Sequence, residues 1–176
     1  MQDLLNIAIR KARTVSRRVV TQILQSVTRE EREFRRVWPL LSSIEGLLVS
    51  PAQDRWLFRT ARSLPDGATI VEIGSFKGRS TCCLAYGCRG TEKMVYAIDT
   101  FSGNDVDFRA GDILLDGDYT PHSHDGDIFG DFLDNIRKCG LTSYVTPLRG
   151  WSEEIGKTWN LPIDMLFIDG SHEYED

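Results

Sequence analysis

The sequence predicts an α/β protein built on a parallel sheet, and three observations predict it. Short apolar runs alternate with stretches of helical periodicity from residue 51 to residue 168. Two of the runs, Ile70-Val71-Glu72-Ile73 and Val95-Tyr96-Ala97-Ile98-Asp99, carry an acid at or beside the tip and break into loops. The chain has 176 residues, 41% hydrophobic and 27% charged, which suits one soluble domain with a sizeable core. Strands that alternate with helices imply parallel pairing through right-handed crossovers.

Taken in order, the first segment repeats Leu5, Ile9, Ala12, Val19, Ile23 and Val27 at helical spacing, beside a basic stripe of Arg10, Arg13 and Arg17. Residues 1–43 read as a basic amphipathic helical extension and residues 44–176 as the folded domain. The extension is expected to pack on its own domain or on a second copy in a homo-oligomer; peripheral contact with an anionic membrane and a flexible leader are the other readings. Ser50-Pro51-Ala52-Gln53 is a helix start, with Ser50 as N-cap and Gln53 completing a capping box. That helix should run to Ser63 and stop before Pro65-Asp66-Gly67. Strand one follows at Thr69–Ile73, a helix at Gly78–Cys88 and strand two at Met94–Ile98. A further helix at Ile128–Cys139 should end on Gly140 as a left-handed cap. Strand three is placed at Tyr144–Leu148, a short helix at Ser152–Thr158 and strand four at Ile163–Ile168.

Composition narrows the function. Residues 1–36 hold nine Lys/Arg against four Asp/Glu, whereas the remainder holds twelve against twenty-two. An acidic body lacks the basic track that a nucleic-acid backbone needs, so no nucleic-acid partner is expected. No run approaches the roughly 20 apolar residues of a membrane span. The start shows no small-residue cleavage site after a long apolar core, and the protein is expected to be cytoplasmic. Cys82, Cys83, Cys88 and Cys139 lack C-x-x-C spacing and read as buried free thiols.

The chemistry concentrates in Thr69–Thr81, TIVEIGSFKGRST. A strand, a glycine turn and a helix in that order form a ligand cradle at the carboxyl end of a parallel strand. A phosphate-cradling loop needs four residues between its glycines and then Lys; Gly74 and Gly78 enclose three, and Arg79 follows. Glu72 would also repel a phosphate. A dinucleotide fingerprint needs a glycine where Phe76 stands. What remains is a nucleoside without phosphate and with a positive charge near Glu72, the form of S-adenosylmethionine, whose ribose diol Asp99 would grip.

VEIGSFKGRST, YAIDTF and PIDMLFIDGSHEYED together resemble the class I S-adenosylmethionine-dependent methyltransferases, most closely the sugar and polyketide O-methyltransferases. The resemblance runs over residues 44–176, with its motifs in the expected order. It implies a Rossmann-like sheet of order 3-2-1-4, with a cofactor at the switch point between strands one and four. It implies that Glu72, Gly74, Ser75 and Gly78 hold the methionine part, that Asp99 takes the ribose hydroxyls and that Ser152 contacts the adenine; Trp151 could cover the ring or pack on a helix. It further implies that Asp169 binds a divalent metal such as Mg²⁺ and that His172 acts as general base toward a small-molecule or sugar hydroxyl. Lys77, in the glycine loop, could orient that acceptor.

Between Phe101 and Asp134 lies a long acidic excursion with nine aspartates, Arg109 and the pair His122 and His124, placed to cover an acceptor site. Metal binding by His122 and His124 is a minor alternative to a solvated loop. The resembling fold continues through three more strands, so the chain reads as a truncated part of a longer domain, with strand four as an apolar edge. A non-catalytic binding or assembly module and a nicotinamide enzyme stay open as rival readings.

Overall fold

The computed structural model describes residues 29–46, 50–101 and 128–170. The chain divides into two compact units, Met1–Pro39 and Leu40–Asp176. Residues 29–41 are helical (α1). Within the first unit Arg35 Nε donates to Glu31 Oε1 at 2.9 Å, one helical turn away, and the rings of Phe34 and Trp38 lie 5.5 Å apart. The amphipathic pattern expected over residues 5–27, with its membrane and oligomer readings, lies outside the described residues.

The second unit is a four-stranded, all-parallel sheet in the order β3-β2-β1-β4. Its strands are β1 (Thr69–Ile73), β2 (Met94–Asp99), β3 (Val145–Arg149) and β4 (Met165–Ile168). The predicted order is the observed one. Helices α2 (Pro51–Ser63), α3 (Arg79–Cys88), α4 (Ile128–Lys138) and α5 (Ser152–Thr158), with a 3₁₀ turn before β3, complete the described elements.

Ser50 caps α2 as expected, its hydroxyl accepting the Gln53 N–H at 3.2 Å. The last turn of α2 is satisfied from outside: the buried Lys93 ammonium donates to the Ala61 and Arg62 carbonyls at 2.9 and 3.0 Å. Helix α3 is buried along nearly its whole length, so apolar and small residues occupy every side of it. At Gly87 a Cβ would stand 2.6 Å from the Phe58 carbonyl and 2.7 Å from Ala61 Cβ. This is why α2 can lie directly on α3. Gly140 ends α4 in the left-handed conformation; its N–H reaches Arg137 O at 2.9 Å and that of Leu141 reaches Ile136 O at 3.1 Å.

Strands β2 and β3 each run one residue further than expected, to Asp99 and Arg149, and two strand starts shift. Tyr144 belongs to a 3₁₀ turn, Thr142–Tyr144, and its hydroxyl accepts the Gly90 N–H, so β3 begins one residue later. Asp164 bends the chain before β4 because its carboxylate captures the Thr69 N–H at 2.8 Å while its own N–H donates to Thr69 O at 2.9 Å. Side-chain bonding of this kind competes with the regular ladder. Among the described residues no helix is long and apolar enough to cross a membrane.

Candidate functional site

Parallel pairing brings the carboxyl ends of all four strands to one edge. The ladder extends past their formal ends: Gly74 N–H donates to Ile98 O, Gly150 N–H to Asp99 O and Asp169 N–H to Ile73 O, all at 2.8–2.9 Å. Glu72, Asp99 and Asp169 therefore sit at the tips of three neighbouring strands, with Arg149 opposite Asp99 in the register. Three carboxylates gathered at one sheet edge make a field that favours a cationic ligand.

Glu72 has no exposed surface. Its Oε2 accepts from Ser75 Oγ at 3.0 Å and from Thr81 Oγ1, while Oε1 has no hydrogen-bond partner. Burial pushes its carboxyl up to about 7 and the Asp169 charge adds to the rise, against the Ser80, Thr81 and Ser75 hydroxyls, which favour the ionised form. An orphaned oxygen on a buried acid is the arrangement that an ammonium donor would complete.

The glycine loop joins the acids at two consecutive residues. Ser75, 2% exposed, is bonded to Glu72, and the Phe76 N–H donates to Asp99 Oδ2 at 2.8 Å. The other Asp99 oxygen accepts the Phe101 N–H at 2.7 Å. Asp99 thus sets the shape of both loops around it and keeps lone pairs for further donors. Phe76 and Phe101 both have positive φ, 46° and 52°, an unfavourable conformation for aromatic residues that these bonds to Asp99 help hold.

Each glycine has its own steric reason. At Gly74 (φ +87°) a Cβ would meet the backbone of Asp169 and Gly170 at 2.5 Å, so only glycine lets β1 and β4 exit side by side. At Gly78 (φ +87°) the Cβ position lies 2.9 Å from the Phe132 ring, and its N–H closes a turn onto Ser75 O at 2.8 Å. Close approach at Gly78 therefore serves α4 packing, where Phe132 also joins Phe101 at 5.0 Å.

Several residues behave in ways that spacing alone did not reveal. Arg79 binds the fully buried Asp54 of α2 through Nε and Nη2, at 3.2 and 2.9 Å, and ties α3 to α2. The Lys77 ammonium sits between Glu45 Oε2 (2.8 Å) and Asp131 Oδ2 (3.1 Å). Thr81, a donor to Glu72, follows it by nine residues and could have been sought as the polar position on the first turn of α3. Ser152 opens α5, three residues past β3, and is half-buried, while Trp151 beside it is 69% exposed. All four cysteines are free and buried. Asp169 is exposed at the end of β4; His172, His122 and His124 lie outside the described residues. Among the described residues no group of three or more His, Cys, Asp or Glu could hold a metal ion.

Three solved structures share this fold at a TM-score of 0.51. An O-methyltransferase from Bacillus cereus in complex with SAH is 20% identical, the match covering 79% of this chain and 54% of that one. The cofactor-bound Rv0187 protein from MTB is 20% identical over 79% of this chain and 53% of its own. The SAH-bound methyltransferase PaMTH1 from Podospora anserina is 22% identical over 70% and 42%. The chain thus spans about half the length of the structures it matches. A family model described as a methyltransferase domain matches residues 71–176, from the middle of β1 through the third resembling motif, and the chain belongs to that methyltransferase-domain family.

Proposed function

We propose that the chain forms the cofactor-binding part of an S-adenosylmethionine-dependent O-methyltransferase that acts on a hydroxyl of a sugar or small metabolite. The observation that carries this is the pairing of Glu72, buried with an unpartnered oxygen, and Asp99, bonded to the same glycine loop on the adjacent strand tip. In this reading Glu72 Oε1 receives the ammonium of the methionine part. Gly74, Ser75 and Gly78 shape the loop around it, Asp99 accepts from the ribose hydroxyls and Ser152 borders the adenine. The exposed Trp151 can close over the ring. When bound, the sulfonium cofactor supplies an already activated methyl group. The protein's own work is to hold the donor, exclude water and deprotonate the acceptor. His172 is the proposed base. Asp169 offers one carboxylate, which does not complete a Mg²⁺ site with the other described residues, and no step is assigned to a metal.

Titration calorimetry of the folded chain with S-adenosylhomocysteine tests the reading. Micromolar binding is expected, weakened at least about tenfold in Asp99→Ala, since a carboxylate accepting two ribose hydroxyls contributes more than about 1.4 kcal/mol. Heatless titration of folded chain would leave a non-catalytic binding or assembly module as the better reading.

A further inference from the structure

We propose that Lys77 is a positioning residue for the cofactor loop, an ammonium clasp that fixes Phe76 and Gly78 in the shape Asp99 requires. The inference rests on the cofactor reading above and adds to it a residue that need not touch the cofactor.

Lys77 lies between two residues of positive φ, Phe76 and Gly78. An aromatic residue does not hold such a conformation by itself, so neighbours must over-determine it. On one side the Phe76 N–H is taken by Asp99 Oδ2. On the other, Lys77 is held three times over. Its ammonium meets Glu45 Oε2 at 2.8 Å and Asp131 Oδ2 at 3.1 Å, and its carbonyl accepts Asn135 Nδ2 at 3.0 Å. Its side chain is only 14% exposed, and the ammonium stands 5.6 Å from the Phe76 ring centre. The hydrogen bond to Glu45 holds the ammonium more basic than usual, so the clasp stays charged throughout the neutral range.

Glu45 and Asp131 come from opposite sides of the sequence, just before α2 and on the first turn of α4. One side chain therefore joins the segment leading into α2, the glycine loop and α4. An ammonium already placed between two carboxylates is poorly suited to orient an acceptor, the other role open to a loop lysine. Because the bond from Phe76 to Asp99 and the Lys77 clasp act on adjacent residues, loosening the clasp should be felt at the ribose acid.

The test compares S-adenosylhomocysteine binding by calorimetry in the full chain and in Lys77→Met, Lys77→Arg, Glu45→Gln and Asp131→Asn. Lys77→Met should raise Kd about five- to tenfold and each carboxylate variant about two- to threefold, as loss of partly screened ion pairs implies. Lys77→Arg should stay within about twofold of the parent, because a guanidinium can still bridge two carboxylates. Amide exchange at Phe76 and Gly78 should quicken in Lys77→Met while that of Val71 and Ile98 in the sheet does not, a local signature that a general loss of stability would not produce. Parental affinity in Lys77→Met, or a weakening that only tracks a lower melting temperature, overturns the clasp alone. If Lys77→Met fails to fold, the half-exposed Glu45 and Asp131 variants carry the same comparison. No binding by the parent chain overturns the cofactor reading and the clasp with it.

Discussion

An acid sealed from water ionises only at a cost, and Glu72 carries that cost for the whole site. Its carboxyl is pushed up to about 7 from an ordinary 4.5, chiefly by burial. In the unfolded chain the group ionises near pH 4.5; in the folded chain it holds its proton until about 7. Between those values the unfolded state sheds a proton that the native state keeps, so stability falls as pH rises through the window, by up to about 3 kcal/mol. Glu72→Gln removes the titration and keeps an oxygen for the Ser75 and Thr81 hydroxyls. Thermal melts should show the variant gaining on the parent between pH 5 and pH 8, by about 2–3 kcal/mol at the upper end, while S-adenosylhomocysteine binding weakens. An unchanged difference between the two proteins across that range would mean that Glu72 does not titrate there. The acid itself was legible in the sequence, because an acid inside an apolar strand has few structural reasons to be there. Its unpartnered oxygen was not legible, since it depends on where the Ser75 and Thr81 hydroxyls point.

At the scale of elements, local chemistry was readable wherever one residue type decides the geometry. Ser50 before Pro51 announced α2, Gly140 announced the end of α4, and apolar runs announced the strands. The two strand starts that moved did so through distant partners: Asp164 reaches Thr69, and Tyr144 reaches Gly90, across 95 and 54 residues. The same holds for Arg79, which follows Gly78 with no partner assigned from the sequence and which the fold directs to the buried Asp54. The two glycines that flank β1 separate conformational from steric demand. Gly67 has φ +75° and open space where a Cβ would go, so Gly67→Ala should lose about 1 kcal/mol for the left-handed backbone alone. Gly74 has φ +87° and backbone atoms of Asp169 and Gly170 at 2.5 Å, and backbone cannot rotate aside as a side chain can. Gly74→Ala should therefore lose about 2–4 kcal/mol and part β4 from β1. Urea unfolding of both variants checks the ranking, and equal losses would show that the close approach is not maintained in solution.

Across the molecule, the parallel sheet is covered unevenly. In β1 the middle three residues are buried, and α3 lies beside the sheet as a nearly submerged helix. In β4 exposure alternates: Leu166 is 50% and Ile168 60% exposed, and both side chains stand on one face because they are two residues apart. Leu161 and Ile163, at 42% and 46%, extend the apolar surface toward the start of the strand. Parallel sheets are ordinarily covered on both faces. A strand at the sheet's edge also presents unpaired backbone groups beside this apolar face. An exposed apolar strand at a sheet edge is a place where two copies can pair, and association is the expected outcome. Sedimentation velocity over a micromolar concentration series should show weight-average mass rising with concentration. A single lysine at Ile168 places a charge on the bare face without touching Glu72 or Asp99, so Ile168→Lys should hold the mass near that of one chain while leaving cofactor binding within about twofold. A parent chain that stays monomeric throughout would show that the exposed face of β4 does not drive association. A variant that associates as the parent does would move the sticky surface elsewhere, with the exposed Trp56 of α2 the next place to look.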